Sequence, residues 1–327
     1  MKHRTLDYRQ RIDRVLDYVA GHPEDDLSVE RLAEIACFSR FHFHRLFHAL
    51  VGEPVNGHVR RVRLERAAKL MKASPKTRLT EVALASGFAG LAEFSRAFKA
   101  HFGMSPSRWD RKAPFENSQV RATPELFSPA SAETLERELK EKGAAVRRTT
   151  LPAWRFAYVR IHDPYANDRL VSVYHALVAW LRERGTDFRD VIMVGMSMDD
   201  PAVTPPAQCR YDLGVAFPMA APRGLFADVF RARERDPRAA RVLPPERVEA
   251  ERHGLSLRDF EPCSVATVRC TGDLSKVDHA WQALYSVWLP RSGDEPLDLP
   301  AMELFVRIPE EIGWETFDLE CAIAVRR

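Results

Sequence analysis

Two similar stretches, one after residue 31 and one after residue 81, constrain the fold of this 327-residue chain more than any other feature of its sequence. Each holds an apolar pair, a turn ending in phenylalanine, a Phe-x-Arg-x-Phe element, and then a glycine with a proline just beyond it. The matching segments are Leu32-Ala33-x-x-Ala36-Cys37-Phe38 with Val82-Ala83-x-x-Ser86-Gly87-Phe88, Phe43-x-Arg45-x-Phe47 with Phe94-x-Arg96-x-Phe98, and Gly52-Glu53-Pro54 with Gly103-Met104-Ser105-Pro106. Since glycine followed by proline is typical of a helix end, the repetition predicts two copies of one helix-turn-helix unit.

The second helix of the first copy has two different faces. It is predicted to begin after Ser39, a favourable N-cap residue. Apolar residues recur at helical spacing in Phe43, Leu46, Phe47 and Leu50. The opposite stripe carries Phe41, His44, Arg45 and His48. Such side chains suit base edges, thymine methyls and phosphates in a DNA major groove, although a solvated basic face would have the same composition.

The positive charge of the chain is local, because its net charge is only +3. It gathers between the two copies, in Arg60, Arg61, Arg63, Arg66, Lys69, Lys72, Lys76 and Arg78. Val55 to Ala73 has helical periodicity, and we expect its arginines to face outward. A helix of that length spans about 27 Å, whereas two reading helices must lie roughly 34 Å apart to enter successive major grooves. This linker would let one polypeptide do what repressor dimers do with two.

Several classes of protein are not expected. No apolar run approaches the ~18 residues of a membrane span, and the N-terminus lacks the apolar core of a signal peptide, so we expect a soluble, cytoplasmic protein with no membrane partner. The five cysteines have no metal-ligand spacing and are expected to be reduced core residues, with a redox sensor as the alternative: Cys37, Cys209, Cys263, Cys270 and Cys321. His44 and His48 lie one helical turn apart, but nothing nearby completes a tetrahedral set, so no metal or cofactor is expected.

From about Tyr8 to Trp109 the chain resembles the tandem helix-turn-helix domain of the AraC/XylS family of bacterial transcription regulators. The segment from Gly87 to Pro106, GFAGLAEFSRAFKAHFGMSP, carries the family signature. By position, the resemblance implies base or phosphate contacts from Arg40, Phe41, His44, Arg45, Ser95, Arg96 and Lys99. Ser39, His48 and Arg61 complete the predicted DNA-binding set. Because residues 89–92 offer no hydrogen bonds to base edges, we expect the first copy to carry most of the sequence readout and the second to anchor on phosphates and thymine methyls.

The rest of the chain predicts a second domain. We expect the helix-turn-helix domain to cover residues 1–112, a proline-containing linker with a short charged helix to cover 113–145, and an α+β domain to cover 146–327. Within that domain the order strand, helix, strand, strand occurs twice. The matching segments are 155–161 with 264–270, 171–184 with 277–289, and 210–213 with 316–319. Apolar stripes on the helices indicate that helices cover one face of the strands and leave the other free.

Residues 147–325 resemble the GyrI-like, or effector-binding, domain that is often fused to AraC-type readers. The resemblance is carried by Cys209-Arg210-Tyr211-Asp212, Trp288-Leu289-Pro290-x-Ser292-Gly293 and Pro300-Ala301-Met302-Glu303. It implies two halves that form a curved antiparallel sheet with a ligand pocket on its concave face. The arginine- and proline-rich region near 223–259 is predicted to be an insertion.

Glu303 is the main candidate in that pocket. In the strand from Met302 to Ile308, Glu303 and Phe305 alternate with residues expected to meet the helices, so both are predicted to face the cavity. A carboxylate beside an aromatic ring would attract a cationic, apolar ligand, and the family places such a glutamate in its pocket. An ordinary solvated carboxylate is the alternative. Met193 is the counterpart of Glu303 in the first half. The remaining predicted lining is Phe156, Tyr158, Tyr211 and Trp281.

These patterns favour a bacterial transcription regulator that binds double-stranded DNA and senses a small lipophilic or cationic effector without catalysis. The effector would act by preferring one arrangement of the protein. Two alternatives stay open. Some GyrI-like domains resemble hydrolases of strained electrophiles, for which Glu303 could be the general base and Tyr158 the donor. The domain could instead bind a protein such as RNA polymerase or a topoisomerase.

Overall fold

The structure is a computed structural model that describes residues 2–109, 135, 137, 145–166, 168–199, 204, 206–235, 242–297 and 299–327. The chain divides into two compact units, residues 1–120 and residues 121–327. The predicted linker and its short helix fall largely outside the described residues. Of that helix only Leu135 and Arg137 are described, and both are helical.

The first unit is helical throughout its described part. Its helices are α1 Lys2–Gly21, α2 Val29–Ile35, α3 Arg40–Val51, α4 Val55–Ala73, α5 Leu79–Ala85 and α6 Leu91–Phe102. Helices α2 and α3 form the first helix-turn-helix unit, α5 and α6 form the second, and α4 joins them and packs against both. The predicted tandem arrangement is confirmed.

Local sequence explains where the second helix of each copy begins and ends. The Ser39 hydroxyl accepts a hydrogen bond from the backbone N–H of His42, so α3 starts directly after the predicted cap. Gly52 and Gly103 follow α3 and α6 with φ angles of 85° and 75°. A residue with a side chain is strained in this left-handed conformation, which explains the glycine at both positions.

Equivalent phenylalanines form the core of each copy. Phe43 and Phe47 of α3 are fully buried, and so are Phe94 and Phe98 of α6. Ring centroids lie 5.6 Å apart in the first pair and 5.3 Å apart in the second, both with edge-to-face packing. Since these rings point inward, the opposite stripe of each helix faces solvent.

The second unit contains strands β1 Arg147–Leu151, β2 Trp154–His162, β3 Ile192–Ser197, β4 Arg210–Pro218, β5 Ser256–Phe260, β6 Cys263–Gly272, β7 Glu295–Pro296, β8 Ala301–Arg307 and β9 Phe317–Arg326. Its α-helices are α7 Arg169–Glu183, α8 Gly224–Ala232, α9 Arg247–Arg252, α10 Leu274–Gln282, α11 Leu289–Ser292 and α12 Pro309–Ile312. A π-helical turn, Ala283–Trp288, connects α10 directly to α11. Short 3₁₀ turns lie at Phe188–Asp190 and Pro206–Gln208.

The strands form one sheet in the order β1-β6-β9-β8-β3-β4-β2-β5, with β7 paired to β9. The antiparallel pairing of β3 with β8 joins the two halves at the centre. The halves also exchange a strand, because β1 precedes β2 but pairs with β6, whereas β5 precedes β6 but pairs with β2. Strand β5 is thus the counterpart of β1. Residues 256–259, predicted as part of an insertion, belong to the repeated fold instead.

Helices pack on both faces of the sheet. Helices α7 and α10 cover the first and second halves on one face, which we call the two-helix face. Helix α8 covers the other, the α8 face, and buries Phe226 and Phe230 against Trp154 and Phe156 of β2. The prediction that one face is left uncovered is therefore wrong, because α8 comes from the region that sequence patterns left unassigned.

None of the helices in the described part of the chain combines the length and apolar character of a membrane span.

Candidate functional site

The basic stripe of α3 is exposed. His44, Arg45 and His48 all face solvent on the side opposite Phe43 and Phe47. Two imidazole rings and one guanidinium are thus presented on a rigid helix whose start is fixed by a side-chain cap. This geometry suits insertion into a major groove, where such groups meet base edges and phosphates.

Three other predicted contacts flank this stripe. Arg40 is exposed, and its guanidinium lies 3.0 Å from the carboxylate of Glu30 on α2. An exposed pair of this kind is weak, so it orients Arg40 without removing it from solvent. The hydroxyl of Ser39 accepts the N-cap hydrogen bond. The side chain of Phe41 lies outside the described residues.

Helix α6 presents fewer polar groups than α3. Arg96 and Lys99 are exposed and Ser95 is half-buried. At the first turn Leu91 is 39% exposed and supplies only an apolar surface. Positive charge follows this apolar tip along the helix, which is the distribution expected for phosphate and thymine-methyl contacts.

Arg61 does not face solvent, and the prediction that it contacts DNA is wrong. Its side chain is 6% exposed and donates to Glu53 Oε1 at 2.7 Å and to Glu65 Oε1 at 2.8 Å. His58 Nδ1 lies 2.9 Å from the same oxygen of Glu53. The guanidinium is satisfied inside the protein by one carboxylate from the turn before α4 and another one helical turn along α4.

This buried cluster holds its charges firmly. Burial by itself would raise the pKa of Glu53, but the hydrogen bonds from His58 and Arg61 hold that pKa at about 2. Burial opposes the charge of Arg61, yet the carboxylates of Glu65 and Glu53 raise its pKa. The cluster therefore fixes the turn that leads from α3 into α4.

Arg63 also turns inward, contrary to the prediction for the arginines of α4. Its Nε donates to the backbone carbonyl of Pro23 at 2.7 Å. Arg60 and Lys69 on the same helix are exposed. The basic surface between the two copies is consequently smaller than the sequence indicates.

In the second unit, Glu303 lies on the two-helix face where the halves meet. Tyr211 Oη, from β4, donates to Glu303 Oε2 at 2.5 Å. Trp281 Nε1, from α10, donates to Glu303 Oε1 at 3.1 Å. Phe305 lies two residues along the strand on the same face and packs with the apolar cores of both halves. Four of the six predicted lining residues are thus brought together.

Gly195 was missed by sequence reasoning. It lies in β3 and pairs with Glu303 on one side and with Leu213 of β4 on the other. A Cβ atom at this position would be 1.7 Å from Tyr211 Oη, so the phenol lies directly over the glycine. A glycine inside a strand was the available signal, because it marks close approach of another group.

The environment keeps the phenol protonated. Burial raises the pKa of Glu303, and the hydrogen bonds from Tyr211 and Trp281 partly offset that effect. Burial, followed by the negative charge of Glu303, raises the pKa of Tyr211 well above its ordinary value. Tyr211 therefore remains a hydrogen-bond donor to the carboxylate at neutral pH.

Two predicted lining residues lie on the other face. Phe156 and Tyr158 are buried on the α8 face, with ring centroids 5.0 Å apart in a stacked arrangement. The prediction that they line one site with Glu303 is wrong, because β2 points these rings to the opposite face of the sheet. Tyr211 is the tyrosine that contacts Glu303, so Tyr158 cannot be its partner in a catalytic pair.

The alternation along β8 was predicted correctly, but its orientation was not. Met302 and Leu304 pack on the α8 face. Glu303 and Phe305 face the side of α7 and α10, whereas the prediction set them away from these helices. The strand register agrees with the prediction that Met193 is the counterpart of Glu303. Met193 pairs with Val215, three residues after Asp212, and Glu303 pairs with Cys321, three residues after the equivalent Asp318.

Among the cysteines, Cys37 departs from the prediction of a core residue. It is exposed in the turn between α2 and α3, with a φ of 51°. The equivalent Gly87 has a φ of 80°, so the turn requires a left-handed residue and leaves its side chain outside the core. No group of three or more His, Cys, Asp or Glu side chains in the described ranges is arranged to hold a metal ion.

The fold and these sites define a class of protein: a tandem helix-turn-helix unit followed by a duplicated α+β domain with an acidic, aromatic site. Comparison with family models agrees. The helix-turn-helix domain model matches residues 32–112, and the GyrI-like small molecule binding domain model matches residues 144–326. The chain belongs to the GyrI-like family, and its first unit is an AraC-type helix-turn-helix region.

Relatives similar in sequence match the first unit. An HTH-type transcriptional regulator of Haemophilus influenzae is 34% identical over 100 residues, which are 31% of this chain and 33% of the relative. The HTH-type transcriptional regulator MtrA of Neisseria gonorrhoeae is 31% identical over 32% of this chain and 34% of its own length. The HTH-type transcriptional activator AarP of Providencia stuartii is 30% identical over 29% of this chain and 70% of its own length. For the first two, the match spans about a third of the relative.

Two solved structures are similar to parts of this chain. The DNA-binding domain of AdpA, in complex with a target DNA, is 28% identical, with 29% of this chain and 86% of that chain covered and a TM-score of 0.29. A hydrolase from Listeria innocua is 12% identical, with 59% and 98% covered and a TM-score of 0.36. At these TM-scores neither similarity establishes a shared function.

Proposed function

We propose that this protein is a transcription regulator whose helical unit binds double-stranded DNA and whose GyrI-like domain binds a small-molecule effector. The observation that carries the DNA-binding half is the exposed stripe of His44, Arg45 and His48 on α3. The regulator names of the relatives that match this unit agree with it. The buried Arg61 restricts the proposed contact surface to the two second helices and the exposed residues of α4.

We further propose that the effector is cationic and apolar. Glu303 supplies a negative charge held between a phenol and an indole, and Phe305 adds a ring on the same face. Cations are attracted both by a carboxylate and by the faces of aromatic rings. Pockets for small molecules combine such apolar surface with a few fixed polar groups.

Selection of bound duplexes from a random DNA pool tests the first half. We expect an enriched motif that spans about two helical turns, because two reading units occupy successive grooves. Enrichment should be absent for a variant in which Arg45 and Arg96 are both alanine. A pool that shows no enrichment with the unmodified protein would contradict sequence-specific binding.

Binding of tetraphenylphosphonium, a lipophilic cation, tests the second half. A ligand at a hundredfold excess over its Kd stabilises a protein by about 2.7 kcal/mol, which is readily seen as a thermal shift. We expect this shift to be lost in Glu303→Gln, which keeps the shape of the side chain and removes its charge. An equal shift in both proteins would place the cation elsewhere.

A hydrolase is the second candidate, favoured by one observation: Tyr211 Oη lies 2.5 Å from Glu303, as in a donor and general-base pair. Turnover of a strained electrophile that disappears in Glu303→Gln and falls in Tyr211→Phe would establish it. Binding of RNA polymerase stays a prediction from the sequence.

A further inference from the structure

We propose that Gly195 is the positioning residue of the effector site: its missing side chain holds Tyr211 on Glu303, and this keeps the carboxylate able to bind a cation. The inference rests on the proposed effector-binding function. It also makes a prediction about the unliganded protein that holds whether or not the effector class is correct.

The site crosses three adjacent strands. Tyr211 starts on β4 opposite Ser197 of β3, and Glu303 lies on β8 opposite Gly195 of β3. Strands in a sheet are about 4.8 Å apart, so the phenol must cross the whole width of β3 to reach the carboxylate. It does so over Gly195, where the backbone is bare.

The space left by the missing side chain of Gly195 is occupied by Tyr211. All three of the nearest atoms that a Cβ at Gly195 would meet belong to Tyr211, at 1.7, 2.4 and 3.0 Å. At Gly214, the nearest atom is the backbone oxygen of Ala157 at 2.2 Å, so that glycine serves the approach of two strands. At Gly195, unlike Gly214, the absence of a side chain leaves room for the ring of Tyr211.

Tyr211 matters to Glu303 because a buried carboxylate is costly unless it is hydrogen-bonded. Each oxygen of Glu303 accepts from one neutral donor, Tyr211 or Trp281. Loss of the phenol would leave only the indole, and the charged form would become less stable. Two further titratable side chains, Cys321 and Tyr165, also raise the pKa of Tyr211, and neither brings positive charge.

The first test uses the protein without ligand. A short phenol–carboxylate hydrogen bond gives a far-downfield proton resonance, which the variant Tyr211→Phe identifies by its loss. We expect Gly195→Ala to lose the same resonance and Ser197→Ala, on the same strand and face, to keep it. Persistence of the resonance in Gly195→Ala would overturn the proposal.

Stability measurements distinguish an effect of Gly195→Ala on Tyr211 from a general disturbance of the fold. Gly195→Ala should lower the Tm in the unmodified background and have little effect in Tyr211→Ala, where the ring that would clash is absent. An equal loss of Tm in both backgrounds would show that Gly195 serves the backbone and not Tyr211, and the proposal would fail.

The last test links position to binding. We expect Gly195→Ala and Tyr211→Phe each to weaken tetraphenylphosphonium binding by about tenfold, the equivalent of one pKa unit. In both variants the pH midpoint for binding should rise, because the anion has lost a donor. Unchanged affinity and midpoint would refute the link. If the unmodified protein does not bind the cation, the proposed effector class fails, while the resonance still decides the role of Gly195.

Discussion

Arg45 and Arg61 are both arginines on helices of the first unit, yet one is exposed and the other is buried. Arg45 is exposed on α3, whereas Arg61 is enclosed by Glu53 and Glu65. Helical periodicity correctly predicted that Arg45 is exposed. It could not predict the burial of Arg61, because Glu53 lies outside the helix and reaches Arg61 only through the turn that follows Gly52.

We expect Arg45→Ala to reduce the preference for the selected DNA over random DNA by about 1–3 kcal/mol, because a base-edge contact is lost. Lys69→Ala, at an exposed position on α4, should weaken binding to both DNAs alike and lower the salt dependence. Competition binding at two salt concentrations measures both effects. Equal losses on the two DNAs for Arg45→Ala would mean that the first copy does not read sequence.

The acid sensitivity of the first unit should depend on Glu53. Its pKa is about 2 in the folded protein and 4.5 for an ordinary glutamate, so its contribution to stability is complete above 4.5 and is lost as pH falls toward 2. Glu53→Gln should therefore cost about 2–3 kcal/mol of unfolding free energy at pH 7 and almost nothing near pH 2.

Fluorine-labelled Trp109 offers a local probe, because this ring packs on Phe98 and Phe102 inside the first unit. The matched control is Glu34→Gln, which removes a pair with Arg31 that is largely exposed. That change should cost less than about 0.5 kcal/mol at either pH. A Glu53→Gln penalty that does not depend on pH would contradict the proposed charge network.

At the scale of elements, sequence was most informative where local chemistry fixes an end. Caps and C-terminal glycines placed α3, and α4 has the predicted bounds Val55–Ala73. It was least informative about which face an element meets. Alternation along β8 separates two faces, but both faces carry helices, so the pattern could not show on which side Glu303 lies.

Helix α8 is the clearest case of an element hidden from sequence. It lies in a region rich in arginine and proline, and its short apolar stretch stabilises the fold only by packing on the sheet that it covers. We expect Phe230→Ala to destabilise the second unit by about 3–5 kcal/mol, because a fully buried ring leaves a cavity. Val248→Ala on α9, at a side chain that is 58% exposed, should change stability by less than about 0.5 kcal/mol.

A label on Trp154 reports the unfolding of the second unit, since its ring contacts Phe226 of α8 at a centroid distance of 5.5 Å. Denaturant titrations of both variants give the comparison. If Phe230→Ala lowered the free energy of unfolding as little as Val248→Ala, α8 would be only weakly packed on the sheet, and the α8 face would not form a second core.

At the scale of the whole molecule, both duplications could be predicted from the sequence, because the repeated motifs have similar residues at matching positions. The exchange of β1 and β5 between the halves could not, since each strand pairs with a partner that is distant along the chain and that its own residues do not identify. Tyr211 and Glu303 meet across the duplication through the β3–β8 junction. The site is therefore a property of the assembled halves and of neither half alone.

If the effector regulates DNA binding, the two functions must be coupled reciprocally. The factor by which tetraphenylphosphonium changes the Kd for the selected DNA must equal the factor by which that DNA changes the Kd for the cation. Fluorescence anisotropy of labelled DNA and calorimetry of the cation measure the two factors independently, and we expect a shared value of about 5–150-fold. Glu303→Gln should abolish both effects while DNA affinity without the cation stays unchanged. A cation that binds tightly yet leaves the Kd for DNA unaltered would show that this domain does not control the reader.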